Sequence, residues 1–224
     1  MKTRIKIDSA ILSFIIILTG FLYQFSRLYT TGPLADDILD FLGVVVVLKG
    51  TFIRMAARGY KKAYSKSGQG LVITGPYTLV RNPMYLGSFL MGAGFVLIVW
   101  PWWSLPVFAW LFYLRFNKQI IAEEQYLGGL FGKDYTDYMK KVPRLFPKIK
   151  DVLKMKVKEV FPFEYVWSTK ERWGLFAWPL LAVLLEGFQE KIVFGETDWI
   201  KNMAVVLLAI FLTGITKIWE YNRA

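Results

Sequence analysis

Long apolar runs separated by short polar intervals dominate the chain. Residues 10–28, 34–57, 84–100, 104–122 and 199–218 each approach or reach the roughly 20 residues that a helix needs to cross a hydrocarbon core. A shorter run, 173–185, is either a further span or a re-entrant segment. The first run follows Lys2, Arg4 and Lys6, as a secretory leader would. It ends in Tyr23, Gln24 and Arg27 with no small-residue cleavage site, which favours a retained helix. The second opens on Asp36 and Asp37, where the helix dipole favours negative charge. Pro101-Trp102-Trp103 separates the third and fourth runs and predicts a tight turn with interfacial aromatics. The pattern predicts an all-α, multi-span transmembrane helical bundle of about five or six spans, forming one membrane domain over residues 1–224.

Charge fixes an orientation for that bundle. Of the 224 residues, 55% are hydrophobic, yet the net charge is +11. With all six segments crossing, 24 of the 28 Lys and Arg fall on one side, while Glu186, Glu190, Glu196 and Asp198 fall on the other. Cytoplasmic loops carry such an excess of basic residues, so both termini are expected in the cytoplasm. The basic residues follow this membrane pattern and no nucleic-acid partner is expected. Within 148–172, Ile149, Val152, Leu153, Val157 and Val160 recur at helical spacing among Lys148, Lys150, Lys154, Lys156 and Lys158. That predicts a basic amphipathic helix on an anionic leaflet, or a solvated connector. Residues 173–224 read as a C-terminal hydrophobic hairpin. Lys49 lies mid-span, where an ionisable side chain is either functional or reaches back to the interface.

The chain has no Cys and no His. This removes thiolate chemistry, the commonest metal ligands and the commonest general base near neutral pH. No metal site is expected. Chemistry falls to carboxylates, Arg, Tyr, Asn, Lys or a bound cofactor. The one stretch crowded with such groups is GPYTLVRNPMYLG, residues 75–87. Pro83 suits the first turn of the following helix, which puts Arg81 and Asn82 at a helix N-terminus. Free N–H groups beside a guanidinium bind carboxylate or phosphate; alternatively, Arg81, Tyr77 and Tyr85 belong to an interfacial belt. Gly92-Ala93-Gly94 then allows close approach of a helix or a ligand. On the fourth run, Arg115, Gln119 and Glu123 share one helix face, with Glu124 about 100° further round.

These motifs carry a resemblance. GPYTLVRNPMYLG, then GAG, then AEEQYLGGLFGKDYTDYMKKVPRLFP is similar to the integral-membrane methyltransferases, which include phospholipid N-methyltransferases and isoprenylcysteine carboxyl methyltransferases. The likeness covers residues 75–147 and departs at one position, where Asn82 stands for the family's His. It implies a cytosolic-facing S-adenosylmethionine site lined or shaped by Tyr77, Arg81, Asn82, Pro83, Tyr85, Gly92, Gly94, Glu123 and Glu124. Glu124 and Arg81 would carry catalytic roles, the first toward an amine proton and the second toward an anionic group. The acceptor would be a membrane lipid or a lipidated molecule, with a phospholipid amine slightly favoured over a prenylcysteine carboxylate. A nicotinamide-dependent membrane reductase and an inactive ligand-binding relative are the competing readings.

Overall fold

Four glycines set the centre of the fold. Gly43 and Gly50 lie on α2 (Pro33–Tyr64), Gly87 and Gly94 on α3 (Pro83–Val99). Each pair is seven residues apart, two helical turns, so both members share a face. The helices run antiparallel with Gly50 against Gly87 and Gly43 against Gly94. A Cβ on Gly50 would lie 2.6 Å from the Gly87 carbonyl, and one on Gly94 would lie 2.6 Å from the Gly43 carbonyl. The two backbones therefore touch directly, which no larger residue permits.

The computed structural model describes residues 2–25, 28–29, 33–65, 70–195 and 203. Around the α2–α3 pair stand α1 (Lys2–Tyr23), α4 (Leu105–Lys141) and α8 (Gly174–Gln189). Short helices α5 (Ile149–Lys154), α6 (Val157–Val160) and α7 (Phe163–Trp167) link α4 to α8, with α7 packed on α2. One buried cluster joins Tyr23, Tyr29, Val47, Ile98, Val99 and Ala182. A second joins Met55, Ala56 and Val166 at the other end of α2. Large apolar side chains also face outward, among them Phe14, Ile16 and Ile17 on α1, Phe41 on α2, Trp110 and Leu114 on α4, and Phe188 on α8.

The expected all-α class is observed. Among the described residues, however, no helix is both long and apolar enough to cross a membrane. At 1.5 Å per residue, the 17-residue α3 and the 16-residue α8 reach only about 25 Å. The longer α2 and α4 carry charges along their length, such as Asp40, Lys49 and Arg54 on the first and Arg115 and Lys118 on the second. Lys49 is exposed. The sixth run, 199–218, lies outside the described residues except for Met203.

Two boundaries differ from expectation. The fourth helix does not stop near residue 122 but continues through Gly128 and Gly129 to Lys141. It bends at Gly132, whose φ of 52° and ψ of −119° suit only glycine. The amphipathic helix expected over 149–160 is instead two short helices, with extended backbone at Met155 and Lys156. Ile149, Leu153 and Val157 remain exposed.

Candidate active site

The two sequence motifs meet through their backbones. Gly75–Thr78 forms a 3-10 turn with Pro76 buried, and Pro83 is buried at the first turn of α3. Between them the chain runs beside the segment after α4. The Arg81 N–H donates to the Pro143 carbonyl at 2.9 Å and the Asn82 N–H to the Arg144 carbonyl at 3.2 Å. Beyond the Gly132 bend, the Tyr138 hydroxyl donates to the Tyr77 carbonyl at 2.7 Å. Burial raises the pKa of both Tyr138 and Tyr77, for Tyr138 with smaller contributions from Tyr135 and Tyr77, so both phenols stay protonated well past the ordinary 10.0.

At the centre of this junction lies Glu124, 6% exposed. Its Oε1 is 3.3 Å from Arg81 Nε and accepts from Asn82 Nδ2 at 3.1 Å. Its Oε2 accepts from Arg144 Nε at 3.0 Å, and Arg144 Nη2 lies 2.9 Å from the same oxygen, a charge-assisted contact. A buried carboxylate requires partners of this kind. Here they come from the segment just before α3 and from the turn after α4. Arg81 Nε is buried and makes no well-directed hydrogen bond, although it is paired in charge.

Glu123, next in sequence, has a different setting. It is exposed, and its Oε1 accepts from the Tyr85 hydroxyl at 2.7 Å and from Gln119 Nε2 at 3.0 Å. An aromatic wall stands beside it: Tyr85 meets Phe116 edge-on, Phe112 packs on Phe116, and Phe89 bridges Phe112 and Phe146.

The predicted residues thus divide. Arg81, Asn82, Tyr85, Glu123 and Glu124 come together, with Tyr77 and Pro83 supporting the backbone beneath them. Gly92 and Gly94 stand elsewhere. The room left by Gly94 is filled by Gly43 and Val47, and that left by Gly92 by the Phe108 ring, so both serve helix packing. Sequence reasoning missed Arg144 as a member of the cluster; its place between Pro143 and Pro147 in the second motif was the available signal. Among the described residues there is no group of side chains suited to a metal ion.

A sequence model of the family described as phospholipid methyltransferase matches residues 37–134. A protein-S-isoprenylcysteine O-methyltransferase of Schizosaccharomyces pombe is 37% identical over 79 residues, 35% of this chain and 34% of its own. One from Saccharomyces cerevisiae is 30% identical over 131 residues, 55% of this chain and 54% of its own. A probable one from Oryza sativa subsp. indica is 28% identical over 119 residues, 50% and 62% of the two chains. The resemblance to the integral-membrane methyltransferases is borne out. No solved structure matches. The chain spans about a third to a half of the length of the first curated relatives it matches. The family model reaches from within α2 to just past the Gly132 bend and stops short of α8. These relatives are named for isoprenylcysteine, so the expected lean toward a phospholipid amine finds no support in them.

Proposed function

We propose that this chain is a membrane-embedded, S-adenosylmethionine-dependent methyltransferase whose acceptor is the carboxylate of a lipidated molecule. The outward-facing apolar side chains of α1, α2, α4 and α8 support a bilayer setting, in which such surfaces need no protein partner. The donor set fits the cofactor: exposed Glu123 for an ammonium or ribose hydroxyls, the incompletely bonded Arg81 for a carboxylate, and the Tyr85–Phe116–Phe89–Phe146 faces for a sulfonium or adenine. When bound, the cofactor supplies a methyl group already activated by positive sulfur.

The protein's contribution is positioning and exclusion of water. Tyr85 and Gln119 hold Glu123 in one orientation. Glu124 acts at one remove, fixing Arg81, Asn82 and Arg144; in this reading it is a positioning residue. Asn82, standing for the family's His, donates to Glu124 and carries no proton in the chemistry.

The observation that carries the acceptor class is the occupancy of Glu124. An amine acceptor must lose a proton, and Glu124 directs both oxygens to arginine and asparagine side chains. A carboxylate attacks without losing a proton, so it needs no base. The test is transfer of isotope-labelled methyl from S-adenosylmethionine by the detergent-purified protein to N-acetyl-S-farnesylcysteine and, separately, to phosphatidylethanolamine. A base-labile methyl ester on the first is expected. Label on the second alone would reverse the acceptor, and failure to bind the cofactor at all would leave a ligand-binding relative.

A further inference from the structure

On another side of α3, away from α4, lies a cavity of about 450 Å³. It is lined by Thr51 and Arg54 of α2, Ser88 and Met91 of α3, Glu171 and Trp173 of the Lys170–Trp173 turn, and Gly174, Ala177 and Trp178 of α8. None of its walls comes from α4, and α8 lies beyond residue 134, where the family match ends. Its size falls in the roughly 300–1,000 Å³ range of small-molecule sites.

Its lining is divided. Arg54 Nη2 and Arg58 Nη1 both approach Glu171 Oε1, at 3.1 and 2.8 Å, and Arg54 Nη1 also donates to Ser88 Oγ. Two guanidiniums therefore face a single carboxylate, through one of its oxygens, and leave a unit of positive charge at this end. Arg58 stands beside Arg54 on Glu171, just outside the lining, and is 53% exposed, so the charged end is reached from solvent. Lys61 and Lys62 follow on the last turn of α2 and add to the same field. Away from that end, the polar atom of Thr51 is already used, its hydroxyl donating to the Val47 carbonyl. The rest of the lining is Met91, Ala177 and the indoles of Trp173 and Trp178, a flexible thioether and flat rings suited to a chain of methylenes.

We propose that this cavity binds a single-chain amphiphile with an anionic head, the head between Arg54 and Arg58 and the chain along Met91, Ala177 and Trp178. Charge complementarity selects the head. A cationic head would meet two guanidiniums, and a neutral one would leave their excess charge unanswered. Aromatic and apolar walls select the tail. The site is separate from the Glu123–Tyr85 face and does not depend on methyl transfer.

The test is quenching of intrinsic tryptophan fluorescence by 9,10-dibromostearate in the full chain held in a neutral detergent, where bromine near Trp173 and Trp178 quenches directly. Three further probes run in parallel: the methyl ester of the same acid, acetate, and inorganic phosphate. Saturable quenching by dibromostearate is expected, weakened about tenfold or more by Ala177→Phe, which fills the chain path, and several-fold by Arg58→Gln. Both substitutions replace exposed side chains, so folding is preserved. Arg58→Gln should leave the methyl ester unaffected. Equal affinity for acid and ester would overturn the anionic head. Protection of the site by acetate or phosphate as effectively as by the long-chain acid would make it a plain anion site. Quenching unchanged by Ala177→Phe, or no saturable quenching, would remove the cavity as the binding place.

Discussion

Two carboxylates in this molecule each sit between two arginines, and they have different uses. Glu124 gives Oε1 to Arg81 and Asn82 and Oε2 to Arg144, and is 6% exposed. Glu171 receives Arg54 and Arg58 on the same oxygen, while Oε2 is buried without a hydrogen bond. In the first, both carboxylate oxygens are engaged and the cluster closes a junction between distant segments. In the second, both arginines meet one oxygen, the other is left without a hydrogen bond, and the cluster borders open space. A carboxylate engaged through both oxygens by two segments holds backbone in place, whereas arginines that share one oxygen beside a cavity keep donors for a ligand.

Removing the carboxylates should separate these roles most sharply. Glu124→Ala strands the Arg81 guanidinium, 12% exposed, and the Asn82 amide, while Arg144, 43% exposed, can turn to solvent; a loss of about 3 kcal/mol is expected in denaturant unfolding. Glu171→Ala leaves arginines that are 29% and 53% exposed and can turn to solvent, so a loss of about 1 kcal/mol is expected. Equal losses would erase the distinction.

Tyr138→Phe gives a smaller effect near the Glu124 junction. Losing its hydrogen bond to the Tyr77 carbonyl should cost about 1 kcal/mol at neutral pH. The pH dependence has a definite sign. The folded protein holds the Tyr138 proton above the ordinary value of 10.0, through burial first, so its contribution is complete below pH 10 and falls as pH rises beyond it. The variant should therefore lose stability less steeply above pH 10, in melts followed across that range. An unchanged alkaline slope would contradict a buried phenol at this position.

The smallest stability effect belongs to Glu123→Gln. This carboxylate is exposed and within its helix, so unfolding should shift by less than about 0.5 kcal/mol. Calorimetric titration of S-adenosylmethionine should nonetheless weaken about tenfold or more. A large stability loss with unchanged binding would mean that the two adjacent glutamates share one structural role.

Much of the junction was legible in sequence, for a physical reason. Pro83 can only open a helix, so Arg81 and Asn82 had to precede one, and the 100° step from Glu123 to Glu124 required different environments. Arg144 was less accessible, because its bond to Glu124 depends on how far α4 extends and where Gly132 bends it. The four glycines of the α2–α3 contact were only partly legible. Helix spacing leaves Gly94 open to a helix or a ligand and the resemblance implies the cofactor, because spacing alone does not say which neighbour a face meets; here it meets Gly43 and Val47. The Arg54–Glu171 cluster left no sequence signal. Its members lie 117 positions apart, and only the packing of the Lys170–Trp173 turn near α2 and α3 unites them.

The paired bonds from Arg81 to the Pro143 carbonyl and from Asn82 to the Arg144 carbonyl have a consequence for how the chain comes apart. They fasten the ends of a hairpin whose two arms, α3 and α4, otherwise meet mainly through side chains. The stretch from 75 to 147 is thereby buckled into a ring, and neither end can fray while the other stays closed. Opening becomes a single cooperative event, and the segment that carries the chemistry persists as one unit or is lost as one.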